Sequence, residues 1–398
     1  MLILDYKLRA NKRQQSAIDE AIRVTQFIRN KAIRLWMDGH GVSQYDMQAL
    51  CAQLAKEYPF AARLNSMARQ AAADRAWQSV ARFYANCKAK KPGKKGYPRF
   101  QKDNRSCEYK TSGWKLEPDG KRITFTDSIG LGTVRLVGTR SIETFPTGQI
   151  KRVRLVKRAD GYYVQFAVQA ERQIDHQPTD KAIGIDVGLK AFYTDSDGQT
   201  VANPRYLRKA EKRLKRLHRQ VSRKVKRSNS RQKAIKRLAK GYLKVQRQRK
   251  DFAAKAASAL VKSHDFIAYE DLRIAHLVKN HHLAKSIHDA GWYGFLCWVR
   301  YYGLLHRIPI VAVSPRFTTQ DCSGCGFRVK KTLSMRTHVC PSCGLVLDRD
   351  QNAALNILEL AIRTAGQAGT GLSHEGQNAS GQTTSSGRKR LRSVKLAG

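Results

Sequence analysis

The stretch Ala182-Ile-Gly-Ile-Asp-Val-Gly-Leu-Lys190 decides the fold of the second half of this chain. It is apolar except for Asp186 and is short enough for a buried strand. An acid inside such a strand is costly unless it is paired or bound to a metal. Two short apolar runs follow on either side of Asp197-Gly198, which is a favoured β-hairpin signal. We therefore expect a sheet to begin here, with Asp186 on its first strand.

Two more acids lie at the ends of predicted buried elements. Glu270 is near the end of the apolar run 266–271, and Asp350 opens a helix predicted over 350–363. Between them come a predicted helix, 291–306, and a third strand, 308–313. Strand, hairpin and then helices are the order in which an RNase H-like sheet begins. Each acid alone could be an ordinary strand-end or helix-cap residue. Together they suit two divalent ions about 3.5–4 Å apart, as phosphodiester hydrolysis needs. Mg²⁺ prefers such oxygen ligands, with Mn²⁺ as the alternative.

The stretch 205–250 is extremely basic, with 21 Lys or Arg residues and one acid, Glu211. Apolar residues recur through it at helical spacing, so we predict two antiparallel helices, followed by a separate helix over about 252–262. The predicted apolar stripes are Leu207, Ala210, Leu214, Leu217, Val221 and Val225, then Ile235, Leu238, Tyr242 and Val245. A run of charge is usually a solvated face, but so one-sided a balance favours a track for phosphates.

The whole chain shares this bias. Its 398 residues carry 75 Lys and Arg against 31 Asp and Glu, a net charge of +44. Nucleic acid is the expected partner, because neutralising phosphates releases counterions. An anionic membrane is disfavoured, since the sequence has neither a run of about 18 apolar residues nor an N-terminal signal segment. We expect a cytoplasmic, nucleoid-associated protein of a bacterium or archaeon, with no membrane partner.

The first half of the chain is predicted to combine helices with an antiparallel sheet. Residues 1–10 alternate like a strand, and Asn11 with Gln14 has the pattern of a capping box that opens a helix. Helical spacing over about 43–57 and 60–90 extends a helical unit over 11–100, and alternation predicts a β unit over 101–175. Residues 90–95 form either a solubilising linker or, together with Tyr97, Arg99 and Phe100, a site that binds a nucleic-acid backbone and stacks on a base.

Four of the eight cysteines form a metal-binding pattern. Cys322, Cys325, Cys340 and Cys343 make two CxxC pairs separated by 14 residues, each followed by a glycine. Four thiolates that can surround one ion tetrahedrally predict a closed, structural Zn²⁺ site. A redox pair is the alternative. A catalytic zinc is disfavoured because the four thiolates leave no ligand position open. We predict a zinc ribbon over 314–347 that positions Asp350. Four other residues are expected to have ordinary loop or lid roles outside the site: His276, His281, His282 and His288.

Three segments carry a resemblance to a known family: Ile183-Gly-Ile-Asp-Val-Gly-Leu-Lys190, Ile267-Ala-Tyr-Glu-Asp-Leu272 and Asp348-Arg-Asp-Gln-Asn-Ala-Ala-Leu-Asn-Ile357. They resemble the RuvC motifs of the TnpB/OrfB proteins of bacterial insertion sequences, which are similar to compact type V CRISPR effectors. Segments 97–100 and 280–292 resemble the family too. The resemblance implies an α+β multidomain protein whose RNase H-like (RuvC) α/β core, 180–363, contains the zinc ribbon. A helical recognition unit and a small antiparallel β-barrel-like (wedge-like) unit, whose first strand is 1–10, precede the core.

The resemblance makes Asp186, Glu270 and Asp350 the catalytic, metal-binding triad. Either Asp348 or Asp350 could face the site. We favour Asp350 because it directly precedes the Gln-Asn pair of the helix start. Asp271 is expected to be a neighbour rather than a ligand.

The resemblance also implies an RNA-guided DNA endonuclease of a transposon. It would hold a guide RNA and cut double-stranded DNA beside a short transposon-adjacent motif, with the displaced strand as a further partner. A functional link to a separate transposase is implied as well. Two alternatives remain: a strand-transferring transposase with the same acids, and a catalytically idle nucleic-acid-binding accessory protein. The tail 364–398, rich in Gly, Ser, Thr and Gln with a basic end, is predicted to be disordered.

Overall fold

The computed structural model describes residues 1–140, 142–332 and 335–370. The chain divides into two compact units, Met1–Glu171 and Arg172–Gly398. No helix among the described residues is long and apolar enough to cross a membrane.

The first unit starts with a strand, continues with helices and ends with strands. The capping box predicted at Asn11 is confirmed, because its side chain accepts a hydrogen bond from the Gln14 backbone N–H while the Gln14 side chain accepts one from the Asn11 N–H. The elements are β1 (Leu2–Arg9), α1 (Lys12–Asp38), α2 (Gln44–Glu57), α3 (Pro59–Ala62), α4 (Ser66–Lys88), β2 (Ser106–Tyr109), β3 (Trp114–Leu116), β4 (Arg122–Phe125), β5 (Gly132–Val137), β6 (Ile150–Arg158) and β7 (Gly161–Val168).

The strands of this unit form one antiparallel sheet in the order β2-β6-β7-β1-β5-β4-β3. The predicted N-terminal strand therefore pairs with strands that come more than 120 residues later. Leu4, Tyr6 and Leu8 alternate along β1 and are buried in the same apolar core as Ile28 and Val80 of the helices. Helices and sheet thus share one core. The barrel-like closure and the division at residue 100 stay predictions.

The second unit alternates strands with long helices. Its elements are β8 (Ala182–Val187), β9 (Ala191–Asp195), β10 (Thr200–Ala202), α5 (Tyr206–Ser222), α6 (Asn229–Lys262), β11 (Phe266–Glu270), α7 (Ile274–Leu277), α8 (His281–Ala290), α9 (Trp292–His306), β12 (Ile310–Val313), β13 (Thr337–Val339), β14 (Val346–Asp348) and α10 (Arg349–Thr370). The hairpin predicted at Asp197-Gly198 is present, with Gly198 at a φ of 81° between β9 and β10.

A five-stranded sheet, in the order β10-β9-β8-β11-β12, forms the centre of the second unit. The β8, β11 and β12 strands are parallel, while β9 runs antiparallel to β8. Alternation along the strands separates two apolar cores. Ile183, Ile185 and Ile267 face one core, which α6 and α9 complete, whereas Phe266 and Ala268 face α10. The carboxyl ends of the parallel strands meet at one edge, where ligands usually bind in open α/β sheets.

Two predictions for the basic helices were wrong. The α6 helix is continuous from Asn229 to Lys262, so there is no separate helix over 252–262. The charge density falls there, but a change of composition does not interrupt helical hydrogen bonding where no breaker intervenes. The predicted stripes were also incorrect in part, since Val225 is 78% exposed and Gly241 is buried instead. A Cβ at Gly241 would lie 3.0 Å from Leu214 of α5, so the two helices contact through a small residue.

The predicted start of the disordered tail was wrong as well. The last helix continues through Thr370, well beyond the predicted end at 363. Ala365 packs against the core that contains Phe266 and Ile357, and this tertiary contact outweighs the poor helix propensity of the nearby glycine. The rest of the predicted tail, 371–398, lies outside the described residues.

A polar cluster anchors the start of the second unit to its sheet. Asp265 accepts hydrogen bonds from the backbone N–H groups of Thr179 and Asp180, and its Oδ1 lies 2.7 Å from His176 Nε2. The His176 ring stands 5.7 Å from that of His306, which is 5% exposed. Burial lowers the pKa of His306, and so do the nearby His176, Lys262 and Arg172.

Candidate metal centres

Asp186 and Glu270 are neighbours on adjacent parallel strands. The register of β8 and β11 pairs Ile185 with Tyr269, so the next residue on each strand is an acid. Paired strands lie about 4.8 Å apart, and residues at the same register position share a face. Because Ile185 and Tyr269 face the α9 side, Asp186 and Glu270 point to the side that α10 covers.

Gly184 lets α10 approach this face closely. A Cβ at Gly184 would lie 2.1 Å from the carbonyl oxygen of Ala354 and 2.9 Å from the Cβ of Leu358. Only glycine therefore allows the helix backbone to contact β8 directly. The close contact brings the start of α10, and with it Asp350, to the carboxyl end of the strands.

The two acids of Asp348-Arg-Asp350 have different roles in the structure. The Asp348 carboxylate accepts a hydrogen bond from the Asp350 backbone N–H at 2.8 Å, which is the geometry of a helix N-cap. The Asp350 side chain is 17% exposed and lies 3.0 Å from Arg349 and 3.6 Å from Arg336. Asp271 is exposed.

The acids perturb one another. Burial raises the pKa of Asp186 well above its usual range, and the negative charges of Glu270 and Asp350 raise it further. Burial also raises the pKa of Glu270, which is 8% exposed and accepts a hydrogen bond from the Thr318 hydroxyl. The charges of Glu270 and Asp350 therefore act on Asp186, and carboxylate oxygens are the ligands that Mg²⁺ and Mn²⁺ prefer.

The four cysteines come together as the spacing predicts. In the parts of the chain that the structure describes, they form the group of metal-binding side chains whose ligand atoms all lie within 4.8 Å of one another. The sulfur atoms of Cys322 and Cys343 are 3.6 Å apart, as are those of Cys325 and Cys340. Each pair is followed by a glycine with a φ near 75°, namely Gly326 at 75° and Gly344 at 74°. The repeated turn and the four thiols fit a tetrahedral metal ion.

Three residues that connect these two centres were not predicted from the sequence. Thr318, Asn352 and Asn356 are 2%, 0% and 7% exposed, and their polar atoms link the cysteine segment to Glu270 and α10. The available signal was a pair of asparagines four residues apart within the otherwise apolar segment 352–358. His276, His281, His282 and His288, which were not predicted to be ligands, are all exposed.

The basic stretch presents its charge to solvent. Of the 21 Lys and Arg residues in 205–250, all but Arg231 and Arg249 are exposed. Glu211, the one acid of the stretch, contacts Lys215 and Lys285, so it offsets little of the charge. Exposed cations at this density are typical of a surface that binds phosphates.

Two protein-family models match segments that lie mainly in the second unit. Residues 165–281, which include Asp186 and Glu270, match the model of OrfB_IS605, described as a probable transposase. Residues 292–357, which include the four cysteines and Asp350, match the Cas12f1-like TNB domain. The resemblance predicted from the motifs is thereby confirmed.

Similar proteins span most of the chain. A putative RNA-guided DNA endonuclease of Streptomyces pristinaespiralis is 28% identical over 380 residues, 92% of this chain and 90% of that protein. The putative RNA-guided DNA endonuclease InsQ of Escherichia coli (strain K12) is 29% identical over 279 residues, 66% of this chain and 68% of that protein. Among solved structures, the Cas12f1-sgRNA-target DNA complex matches with a TM-score of 0.53 at 14% identity, covering 87% of this chain and 81% of that chain. This last likeness concerns the fold.

Proposed function

Because the chain resembles the TnpB/OrfB proteins in sequence and Cas12f1 in fold, we propose that it is an RNA-guided, divalent-metal-dependent DNA endonuclease of a transposon. In this proposal the second unit is a RuvC-type, RNase H-like nuclease with an inserted zinc ribbon. The observation that carries the proposal is the convergence of Asp186, Glu270 and Asp350 at the carboxyl edge of the central sheet.

The strand order supports the RNase H-like assignment. One antiparallel hairpin strand lies beside three parallel strands, and acids come from two neighbouring parallel strands and from the helix that crosses them. Two bound Mg²⁺ or Mn²⁺ ions would supply an activated water and would stabilise the leaving oxygen of a phosphodiester.

Residues of the second unit would bind the ions directly. Asp186, Glu270 and Asp350 would hold the ions, and the Thr318 hydroxyl donates a hydrogen bond to Glu270. Asp348 caps α10 and is exposed, whereas Asp350 is partly buried, so we assign Asp350 as the third ligand. Bound cations would offset both the burial and the nearby negative charges that raise the pKa of Asp186.

We assign Zn²⁺ to the four cysteines. Two similar turns present four sulfurs in a closed set, with Cys322 and Cys340 buried and the other two exposed. A closed set leaves no position for substrate, so the zinc has a structural role.

Nucleic acid occupies the basic surfaces in this proposal. The exposed cations of α5 and α6 bind the backbone of a guide RNA or of its hybrid with the target strand. The first unit, with its helices and its wedge-like sheet, reads the short motif beside the target. A separate transposase performs the strand transfer.

The test begins with the bound RNA. The protein is expressed with its flanking genomic DNA and purified through high salt, and any RNA that stays bound is sequenced. We expect one discrete species that starts within the 3′ end of the gene and runs into flanking sequence. Replacing the terminal segment of this RNA should redirect Mg²⁺-dependent cutting to a matching DNA.

The controls separate the other function classes. Asp186→Ala should abolish cutting and keep RNA binding, whereas an accessory DNA-binding protein would keep its activity. Joining of 3′ ends to target DNA would instead identify a strand transferase. Heterogeneous RNA, or no RNA, would reject the guided mechanism.

A further inference from the structure

Two asparagines of α10 form hydrogen bonds with the four-cysteine module, the segment 314–347 that contains the four cysteines. Asn352 accepts a hydrogen bond from the backbone N–H of Ser323 at 3.0 Å and donates one to the carbonyl of Asp321 at 2.8 Å. Asn356, one turn later, donates to the carbonyls of Thr318 and Asp321, each at 2.7 Å. Ser323 lies between Cys322 and Cys325, so Asn352 holds the first cysteine turn itself.

Thr318 extends this connection to the second strand of the site. Its carbonyl accepts from Asn356 on α10, while its hydroxyl donates to the Glu270 carboxylate at the end of β11. One buried residue thus contacts both the helix that carries Asp350 and the carboxylate of Glu270. The module is also continuous with α10, because β14 ends at Asp348 and the helix begins at Arg349.

We propose that Thr318 and Asn352 are positioning residues through which the four-cysteine module sets the relative positions of Glu270 and Asp350, so that zinc and the catalytic cations bind cooperatively. This inference rests on the proposed assignment of the carboxylates and of the zinc. Groups that orient metal ligands commonly change metal affinity about 10- to 100-fold when removed. Cooperativity between two sites is reciprocal, so catalytic cations must strengthen zinc binding by the same factor by which zinc strengthens theirs.

The experiment measures Mn²⁺ binding by the electron paramagnetic resonance signal of the free ion, on the full chain as purified. Asp186→Ala protein with the same nucleic-acid content provides the background. Thr318→Val removes the hydroxyl at nearly constant volume, and we expect it to weaken Mn²⁺ binding about 10- to 100-fold. Thr318→Ser restores the hydroxyl and should restore the affinity. Thr319→Val makes the same change one residue away and should have no effect.

Zinc removal tests the coupling. Removal of zinc should weaken Mn²⁺ binding in the wild type. It should change Mn²⁺ binding little in the double variant Thr318→Val with Asn352→Leu, which already lacks the hydrogen bonds of the Thr318 hydroxyl to Glu270 and of Asn352 to the module. Saturating Mn²⁺ should slow zinc loss from the wild type and not from this double variant. Zinc content and thermal unfolding establish that each variant is folded. If Asn352→Leu misfolds, the comparison of Thr318→Val with Thr318→Ser tests the positioning role.

The two possible failures are distinguishable. If Asp186→Ala and Glu270→Ala bind Mn²⁺ as the wild type does, the proposed carboxylate site is rejected. If those two lose Mn²⁺ while Thr318→Val keeps full affinity with or without zinc, the carboxylate site stands and the positioning role is overturned.

Discussion

Replacing Gly184 by alanine tests whether the close contact of α10 with β8 builds the acidic site. The added Cβ would lie 2.1 Å from the carbonyl oxygen of Ala354, whereas real Cβ atoms essentially never come within 3.0 Å of such an atom. A backbone oxygen cannot rotate aside, so the helix has to move by about 1 Å. Asp350, at the start of that helix, would move with it.

The expected effects follow from this displacement. Overpacking costs about 1–3 kcal/mol, and at about 2–4 °C per kcal/mol for a unit of this size the unfolding temperature should fall by about 2–12 °C. A misplacement of about 1 Å at a catalytic site costs about 100-fold in rate. Differential scanning calorimetry and cleavage of a matched DNA measure the two effects on the same protein, with Mn²⁺ affinity as a third readout.

Gly294→Ala is the matched control. Gly294 is exposed within α9, and a Cβ placed there meets no atom within 4 Å apart from its chain neighbours and the backbone of its own helix. Alanine is favoured over glycine in a helix by about 0.5–1 kcal/mol, so this variant should be as stable as the wild type or slightly more stable. If Gly184→Ala protein unfolds at the wild-type temperature and cuts at the wild-type rate, the close contact does not determine the site.

Three other changes test the electrostatics of the chain. Asp186→Asn should raise the unfolding temperature of the metal-free protein, by about 2–4 °C for each kcal/mol of repulsion removed, while abolishing Mn²⁺ binding; a lower unfolding temperature without metal would contradict this. His306 has a folded-state pKa below its unfolded value, so its contribution to stability is present above the unfolded pKa and is lost as the pH falls through the folded pKa. Urea unfolding at pH 7.5 and 5.5 should therefore show a smaller loss of unfolding free energy in His306→Gln than in the wild type. The control His288→Gln, at an exposed site, should lose as much as the wild type. Lys212→Gln combined with Lys236→Gln should weaken RNA binding and reduce the slope of log affinity against log salt by about 0.7–0.9 for each lysine that contacts a phosphate; an unchanged slope would remove α5 and α6 from the binding surface.

Much of the second unit was predictable because its signals are local. The apolar run around Asp186 and the turn at Asp197-Gly198 fixed a strand and a hairpin, and both are present. The spacing of the cysteines predicted a four-thiol cluster, and the four sulfurs do converge. These features depend on residues close together in the chain, where the backbone geometry leaves few alternatives.

Helix ends and helix contacts were less predictable. The α6 helix continues past the point where its charge density falls, and α10 continues past residue 363, because packing against distant strands stabilises both. The sequence also favoured large side chains as the contact between α5 and α6, whereas Gly241 makes it. Which face of a basic helix is buried depends on its partner, and the partner is absent from any local window of sequence.

The sequence by itself determined the types of the candidate ligands, three acids and four thiols, and the buried elements at which the acids stand. Only the tertiary structure decided how they are arranged. The register of β8 with β11 places Asp186 beside Glu270, and Gly184 allows α10 to approach β8 closely. Asp348 caps α10, while the Asp350 side chain is partly buried beside Arg349 and Arg336. Thr318 and the asparagines acquire a role only when a segment near residue 320 meets a helix near residue 352. Strand register and close packing are long-range properties, because they depend on the shapes of surfaces that meet only after the chain has folded.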